Sequence, residues 1–332
     1  MTQELYTRAV QIVKAKFGLI SNKRDLIFTP EFFEDPNVIQ CLLTDIYRVD
    51  EIPFSDDLDA YFYVYDVENV PPTVTVTDKE VRVVGNISQL DAKMTDRRYS
   101  LFGNLGLFFR YSLVTLERYH DIFTFHSSAM YNPCDNELFL LVGGPGSGKT
   151  CLLLEGLKRD YQMFSTEMTH LKFEDNKCLF FKGSLIDNVR IGNFVYDFPE
   201  VPRLLNLKLP EVKDVWGTKV TIDLSSKATS EDVLINPKVT LLLPKIEEGR
   251  EEAIFADVTD KRKLVKALFD NASEKIAQTI LLYDSFTVGC LDSPDLMQKR
   301  LKAMEKLVSG EYTEIKRAKT ILACPTKCLK EV

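Results

Sequence analysis

Nothing in this sequence is apolar for long enough to cross a bilayer. The most apolar stretch, Leu101 to Leu116, is broken by Asn104 and Arg110 and falls short of the roughly 20 apolar residues a spanning helix needs. The opening "MTQELYTRAVQIVKAKFGLI" mixes charges into its apolar positions, so it lacks the apolar core of a secretory signal. Positive charge is also in short supply. Lys and Arg total 42 against 49 Asp and Glu, a formal net charge of −7, which speaks against a broad nucleic-acid surface. The seven cysteines are odd in number and scattered, as expected of reduced thiols. The one close pair, Cys324 and Cys328 in "CPTKC", has none of the three histidines near it in sequence, which argues against a zinc site. These absences predict a cytoplasmic protein that contacts neither membrane nor nucleic acid.

At 332 residues the chain suits two domains, each able to bury a core without metal or disulfide. An α+β accessory domain is expected over residues 1–94 and a larger α/β domain over 95–332, with a soft boundary. Tyr6, Val10, Val13 and Phe17 repeat at helical spacing and predict a helix from Glu4 to Lys16. "DAYFYVYDV" predicts a strand with Tyr61, Tyr63 and Tyr65 on one face, packed cross-strand rather than bound to a ligand, and "TVTVTDKEVRVV" predicts two more strands. A helix is expected from Thr95, since Leu105, Phe108, Phe109, Leu113 and Leu116 share a face. "IFTFHSSAMY", the turn "NPCDNE" and "LFLLV" then read as a hairpin. Later strands are expected near Tyr161 to Ser165, at "LKFED" or "KCLFFKG", and at "KVTIDL", "VTLLLPKI" and "TILLYD". Helices are expected over Lys261 to Phe269 and Pro294 to Val308.

The most informative stretch is "LFLLVGGPGSGKTCLLLE". Gly143 to Thr150 fits G-x-x-x-x-G-K-[ST] in full, between an apolar strand and a helix. In such a loop Gly143, Gly144, Gly146, Ser147 and Gly148 let backbone N–H groups turn inward around a phosphate, Lys149 reaches the terminal phosphates, and Thr150 offers a hydroxyl to Mg²⁺. ATP and Mg²⁺ are therefore the expected ligands, although the sequence does not separate ATP from GTP.

Phosphoryl transfer further requires a group that orients the nucleophile. Glu167, at the end of the strand after the loop helix, can hold metal or act as base. Asp284, closing the apolar run "TILLYD", is a second candidate to hold metal, or simply a strand terminus. In "DNVR", Asp187 to Arg190, the arginine could clamp a phosphate. His126, on the strand before the loop strand, has a side chain suited to proton shuttling, though a histidine there is equally at home as a hydrogen-bonded core residue.

Together "FTFHSSAMY", the glycine loop and the acidic strand end at Glu167 resemble the HPr kinase/phosphorylase family and the wider phosphoenolpyruvate carboxykinase-like P-loop superfamily. The likeness covers roughly residues 95 to 270. It implies an α/β fold with a mixed sheet and ATP-dependent phosphorylation of a hydroxyl. His126-Ser127-Ser128-Ala129 matches the family's histidine strand. Where the family usually places two adjacent aspartates this chain has Thr166 and Glu167, and a threonine hydroxyl does not accept a proton as a carboxylate does. Either Glu167 or His126 would then act as base, or nucleotide binds without transfer. "NVRIGNF" only echoes the family's glycine-rich protein-substrate signature, so the expected acceptor is a small hydroxyl-bearing metabolite (a polyol, sugar or amino acid) before a protein serine. The alternatives are a nucleotide-binding regulatory or scaffold protein and a simple NTP hydrolase. A homo-oligomer is compatible with either.

Overall fold

The N-terminal residues form strands, not the helix expected over Glu4 to Lys16. In the computed structural model, which describes residues 4–29, 48–247 and 249–329, β1 (Tyr6–Ile12) and β2 (Ala15–Ser21) pair antiparallel, and Val13 between them takes φ 55°. Ala9 and Val10 are both buried although they face opposite sides of β1. That double burial erases the polar alternation that would have marked a strand. After a short helix α1 (Arg24–Ile27), strands β3 (Val49–Ile52), β4 (Ala60–Asp66), β5 (Thr73–Val76) and β6 (Glu80–Gly85) complete a six-stranded sheet in the order β3-β1-β2-β4-β6-β5. Phe62 and Val64 of β4 point into the core, and Tyr61, Tyr63 and Tyr65 share the other face with successive rings 6.3 Å apart.

Helices α2 (Ile87–Lys93) and α3 (Leu107–His120) follow. The helix expected from Thr95 begins only at Leu107, because Gly103 and Gly106 are packed against backbone. A Cβ on Gly106 would stand 2.0 Å from the Ser100 carbonyl. α3 buries Phe108 against Phe17 and Phe62, with ring centroids 5.2 and 5.6 Å apart.

From Ile122 the chain builds a second unit, in which β7 (Ile122–Asn132) and β8 (Glu137–Val142) form the expected hairpin. α4 (Lys149–Lys158), β9 (Gln162–Ser165), β10 (Met168–Glu174), β11 (Lys177–Phe181) and β12 (Ile186–Arg190) come next. They are followed by α5 (Val201–Leu204), β13 (Lys219–Asp223), β14 (Val233–Ile235), β15 (Lys238–Ile246), β16 (Ile254–Asp257) and α6 (Lys261–Ser273). Residues 275–297 cluster with the first unit and carry the hairpin β17 (Ile280–Leu282) and β18 (Phe286–Val288). α7 (Pro294–Ser309) leads back, and β19 (Ile315–Ala323) re-enters the large sheet. By contacts, then, the units part at Asp121, and α3 belongs with the first.

The large sheet has nine strands, ordered β14-β11-β10-β7-β8-β15-β19-β16 with β9 added alongside β7. β8, β15 and β19 run parallel and the hairpin partners antiparallel, so the protein is an α/β fold with mixed sheets. Leu138, Leu140 and Val142 of β8 join the core under α6 and α7, while Phe139 and Leu141 join the core under α4. Burial on both faces explains the unbroken apolar run that delivers the chain to the glycine loop.

Candidate functional site

β8 ends at Val142 and α4 begins at Lys149, so the glycine-rich residues form the turn between a buried parallel strand and a helix N-terminus. Gly146 and Gly148 have φ of +77° and +96°, a region that side-chain-bearing residues rarely adopt. A Cβ on Gly148 would also lie 2.3 Å from Ile246 of β15. The Ile246 N–H donates to the Ser147 carbonyl at 2.9 Å, which pins the loop to the end of the neighbouring strand.

Lys149 is buried, and its Nζ donates to the carbonyls of Gly143 (2.8 Å) and Gly144 (3.3 Å) and lies 3.3 Å from His126 Nε2. The ammonium is thus folded back on its own loop. His126, on β7, is held at three points. Its Nδ1 is 2.9 Å from Glu274 Oε2, its Nε2 is 3.2 Å from Glu167 Oε2, and its carbonyl accepts from Asn271 Nδ2 at 3.0 Å. Asn271 and Glu274, one turn apart at the end of α6, grip the main chain and side chain of the same residue.

Glu167 and His126 differ in access. The Glu167 side chain is 35% exposed and that of His126 only 4%, so the carboxylate faces outward with the imidazole behind it. Thr166 is buried, its hydroxyl 3.0 Å from the Ser184 carbonyl and 2.6 Å from that of Ile186. It therefore ties down the start of β12, where the second carboxylate sits. Asp187 is buried, accepts from the Thr150 hydroxyl at 3.2 Å, and takes the Asn188 N–H at 2.7 Å. Burial, and then the nearby charge of Glu167, pushes its carboxyl up to about 7.

Asp187 and Glu274 are the residues that the sequence reading did not assign. For Asp187 a signal existed: in "LIDNVRI" the acid falls on the apolar side of an alternation with Leu185, Val189 and Ile191, and an acid on a buried face calls for an explanation. For Glu274 none did. Arg190 is exposed at the end of β12, paired in register with Lys219. Asp284 lies in the β17–β18 turn of the first unit, where it accepts from the Thr95 N–H and hydroxyl at 2.9 and 2.7 Å and from the Asp96 N–H at 3.3 Å.

The three histidines show how selective the site is. His170 on β10 is fully buried, shares a 2.9 Å bond with Thr124 Oγ1, and is pushed down to about 3 by burial, the state of a neutral structural side chain. His120 pairs with Asp59 in the first unit. Only His126 stands among acids and the loop lysine.

The donor set suits a magnesium ion. Glu167, Asp187 and the Thr150 hydroxyl lie together, and burial with the neighbouring Glu167 charge raises the Asp187 carboxyl. Among the described residues no group of three or more His, Cys, Asp or Glu could hold a metal unaided. Magnesium at phosphate sites usually takes one or two carboxylates and completes its shell with water and phosphate oxygens. No protein-family model matches the chain, and no curated protein matches it either. No helix among the described residues is long and apolar enough to cross a membrane.

Proposed function

We propose that the chain is an ATP-dependent phosphotransferase with an HPr kinase-like P-loop core, acting on a hydroxyl of a small metabolite. The observation that carries the reading is the meeting of Glu167, Asp187 and His126 with Lys149 and Thr150 of the glycine loop. The backbone N–H groups of the loop glycines Gly144, Gly146 and Gly148 and the N-terminus of α4 suit the phosphates of ATP. Lys149, once it exchanges its loop carbonyls for phosphate oxygens, neutralises the γ-phosphate. Thr150 and Asp187 would hold Mg²⁺, with Glu167 beside them; the ion supplies charge against the phosphate oxygens during transfer.

Glu167 would receive the acceptor, a role supported by its being the exposed member of the Glu167–His126–Glu274 row. The acceptor O–H gives its proton to the Glu167 carboxylate while its oxygen bonds to the γ-phosphorus. The bond from that phosphorus to the β–γ bridging oxygen breaks, and ADP leaves. His126 fixes the Glu167 carboxylate from behind, and Glu274 fixes His126. Asp187 would take the metal-holding role that the resembled family gives to the second of its adjacent aspartates, while Thr166 binds backbone.

The test is a screen of purified protein with Mg-ATP against pooled polyols, sugars and amino acids, reading ADP release above background. Acceptor-dependent ADP is expected. Release that no pool increases would support a hydrolase, and no release would support a nucleotide-binding regulator.

A further inference from the structure

The end of the large sheet opposite the glycine loop holds a second cleft. Its volume is about 1100 Å³, and it opens where β15 and β19 begin, one strand length from the loop. β8, with six residues, sets that length at roughly 20 Å. The cleft is walled by the start of α6, the end of α7 and the turn Gly310 to Glu314. The Thr313 hydroxyl closes that turn onto the Pro237 carbonyl.

A feature of the strand pairing shapes this cleft. The parallel register of β15 and β19 passes from Val239↔Ile315 to Thr240↔Arg317, leaving Lys316 as an extra, bulged residue. Bulges re-aim side chains and favour functional rims. Here Lys316 Nζ reaches Glu137 Oε2 at 2.5 Å, and Glu137, 4% exposed, also accepts from the Thr240 hydroxyl at 2.6 Å. Lys316, which lines the cleft, is therefore fixed by a buried carboxylate behind it. Around it stand Lys238, Lys261 and Arg317, all exposed and without an ion-pair partner among the described residues. The rim also carries Asp257, which faces Lys319 across the β16–β19 register, Glu311 and Glu314, so its cations Lys238, Lys261, Lys316, Arg317 and Lys319 outnumber its acids. Tyr312 and Asn176, joined by a 3.1 Å bond, give the wall an aromatic face and an amide.

The geometry points to a binding site for a small phosphorylated molecule, its phosphate on Lys238, Lys261 and Arg317 and its body against Tyr312 and Asn176. Two ammonium groups and a guanidinium match the charge density and oxygen fork of a phosphate better than that of a single carboxylate. The volume exceeds what an inorganic ion fills and is that of a metabolite pocket. This site does not depend on the nucleotide reading of the glycine loop.

The probe is inorganic pyrophosphate, with citrate as a polycarboxylate of comparable charge. Lysine acetylation of the full chain, resolved by peptide mass spectrometry, is expected to fall several-fold at Lys238 and Lys261 with pyrophosphate. Lys79, exposed between β5 and β6 of the first unit, should not change. Calorimetric titration of the Lys149→Met chain should retain a pyrophosphate site, which the further pair Lys238→Ala and Arg317→Ala weakens by at least about tenfold. Equal protection by citrate would overturn the assignment to phosphate. Uniform protection of all lysines, or affinity unchanged by the paired substitutions, would overturn the site. Pyrophosphate binding confined to chains that keep Lys149 would also overturn it, while leaving the loop reading intact.

Discussion

The two ends of β8 are built on opposite charge imbalances. Where β8 gives way to the glycine loop, Glu167, Asp187 and Glu274 crowd around Lys149 and His126, and Asp187 is driven toward its protonated form. Where β8 begins, the single buried acid Glu137 is answered by Lys316, and three more cations stand open to solvent. The same strand thus ends at a place short of positive charge and starts at a place with positive charge to spare. On the function and the second site proposed above, the difference would separate their ligands: a metal nucleotide at one end, an anion without metal at the other.

Removing acids from the crowded end should have the largest effect. Glu167→Gln is expected to leave nucleotide affinity within about tenfold and to lower acceptor-dependent turnover by roughly 10²-fold or more, the scale of a lost acid–base group. Steady-state kinetics read both quantities. Turnover near the parent's would move proton transfer from Glu167 to His126.

At the opposite end, Glu137→Gln removes a charge that holds Lys316 and Thr240. Denaturant unfolding should show a loss of about 1–3 kcal/mol, the cost of disturbing a buried hydrogen-bonded group, with Mg-ATP affinity unchanged. A loss of nucleotide affinity in this variant would break the claim that the two ends act separately.

The loop itself should respond through its backbone. Gly148→Ala places a Cβ at φ +96° and against Ile246, and left-handed conformation alone costs on the order of 1–2 kcal/mol. Nucleotide affinity should fall with stability, as thermal unfolding with and without Mg-ATP would show.

A smaller and more specific effect is expected with pH. The Asp187 carboxyl is raised from 3.8 to about 7 in the folded protein, so between those values the folded state holds a proton that the unfolded chain has released. Its contribution to stability is greatest below that window and is lost as pH rises through about 7. Metal binding needs the ionised form, so Mg-nucleotide affinity should rise across the same interval, with proton release on binding. Asp187→Asn should flatten both profiles. Calorimetry in buffers of different ionisation enthalpy counts the protons.

What the sequence made legible follows from how local the signal is. The glycine loop, its lead-in strand and its helix were readable because Gly143 to Thr150 carries its own chemistry and Leu138 to Val142 its own burial. Glu167 and His126 could be named but not joined, since their contact crosses from β7 to the turn between β9 and β10. Asp187 was passed over in favour of Arg190 because a charged tetrapeptide looks like surface until β12 is seen to turn alternate residues inward. Glu274 and the bulge at Lys316 depend on packing and register between segments far apart in the chain, and no local pattern encodes them. The N-terminal strands were misread because burial on both faces removes the period of two on which strand recognition rests.

The most direct test of the central claim is calorimetric titration of Mg-ATP into the parent chain and into Lys149→Met, which keeps the buried stem and removes only the ammonium. A single Mg-dependent site is expected in the parent and its loss, or weakening by well over tenfold, in the variant, with the fold unchanged by circular dichroism. Equal affinity in the two proteins would contradict it, because the loop would then not be where the phosphates bind.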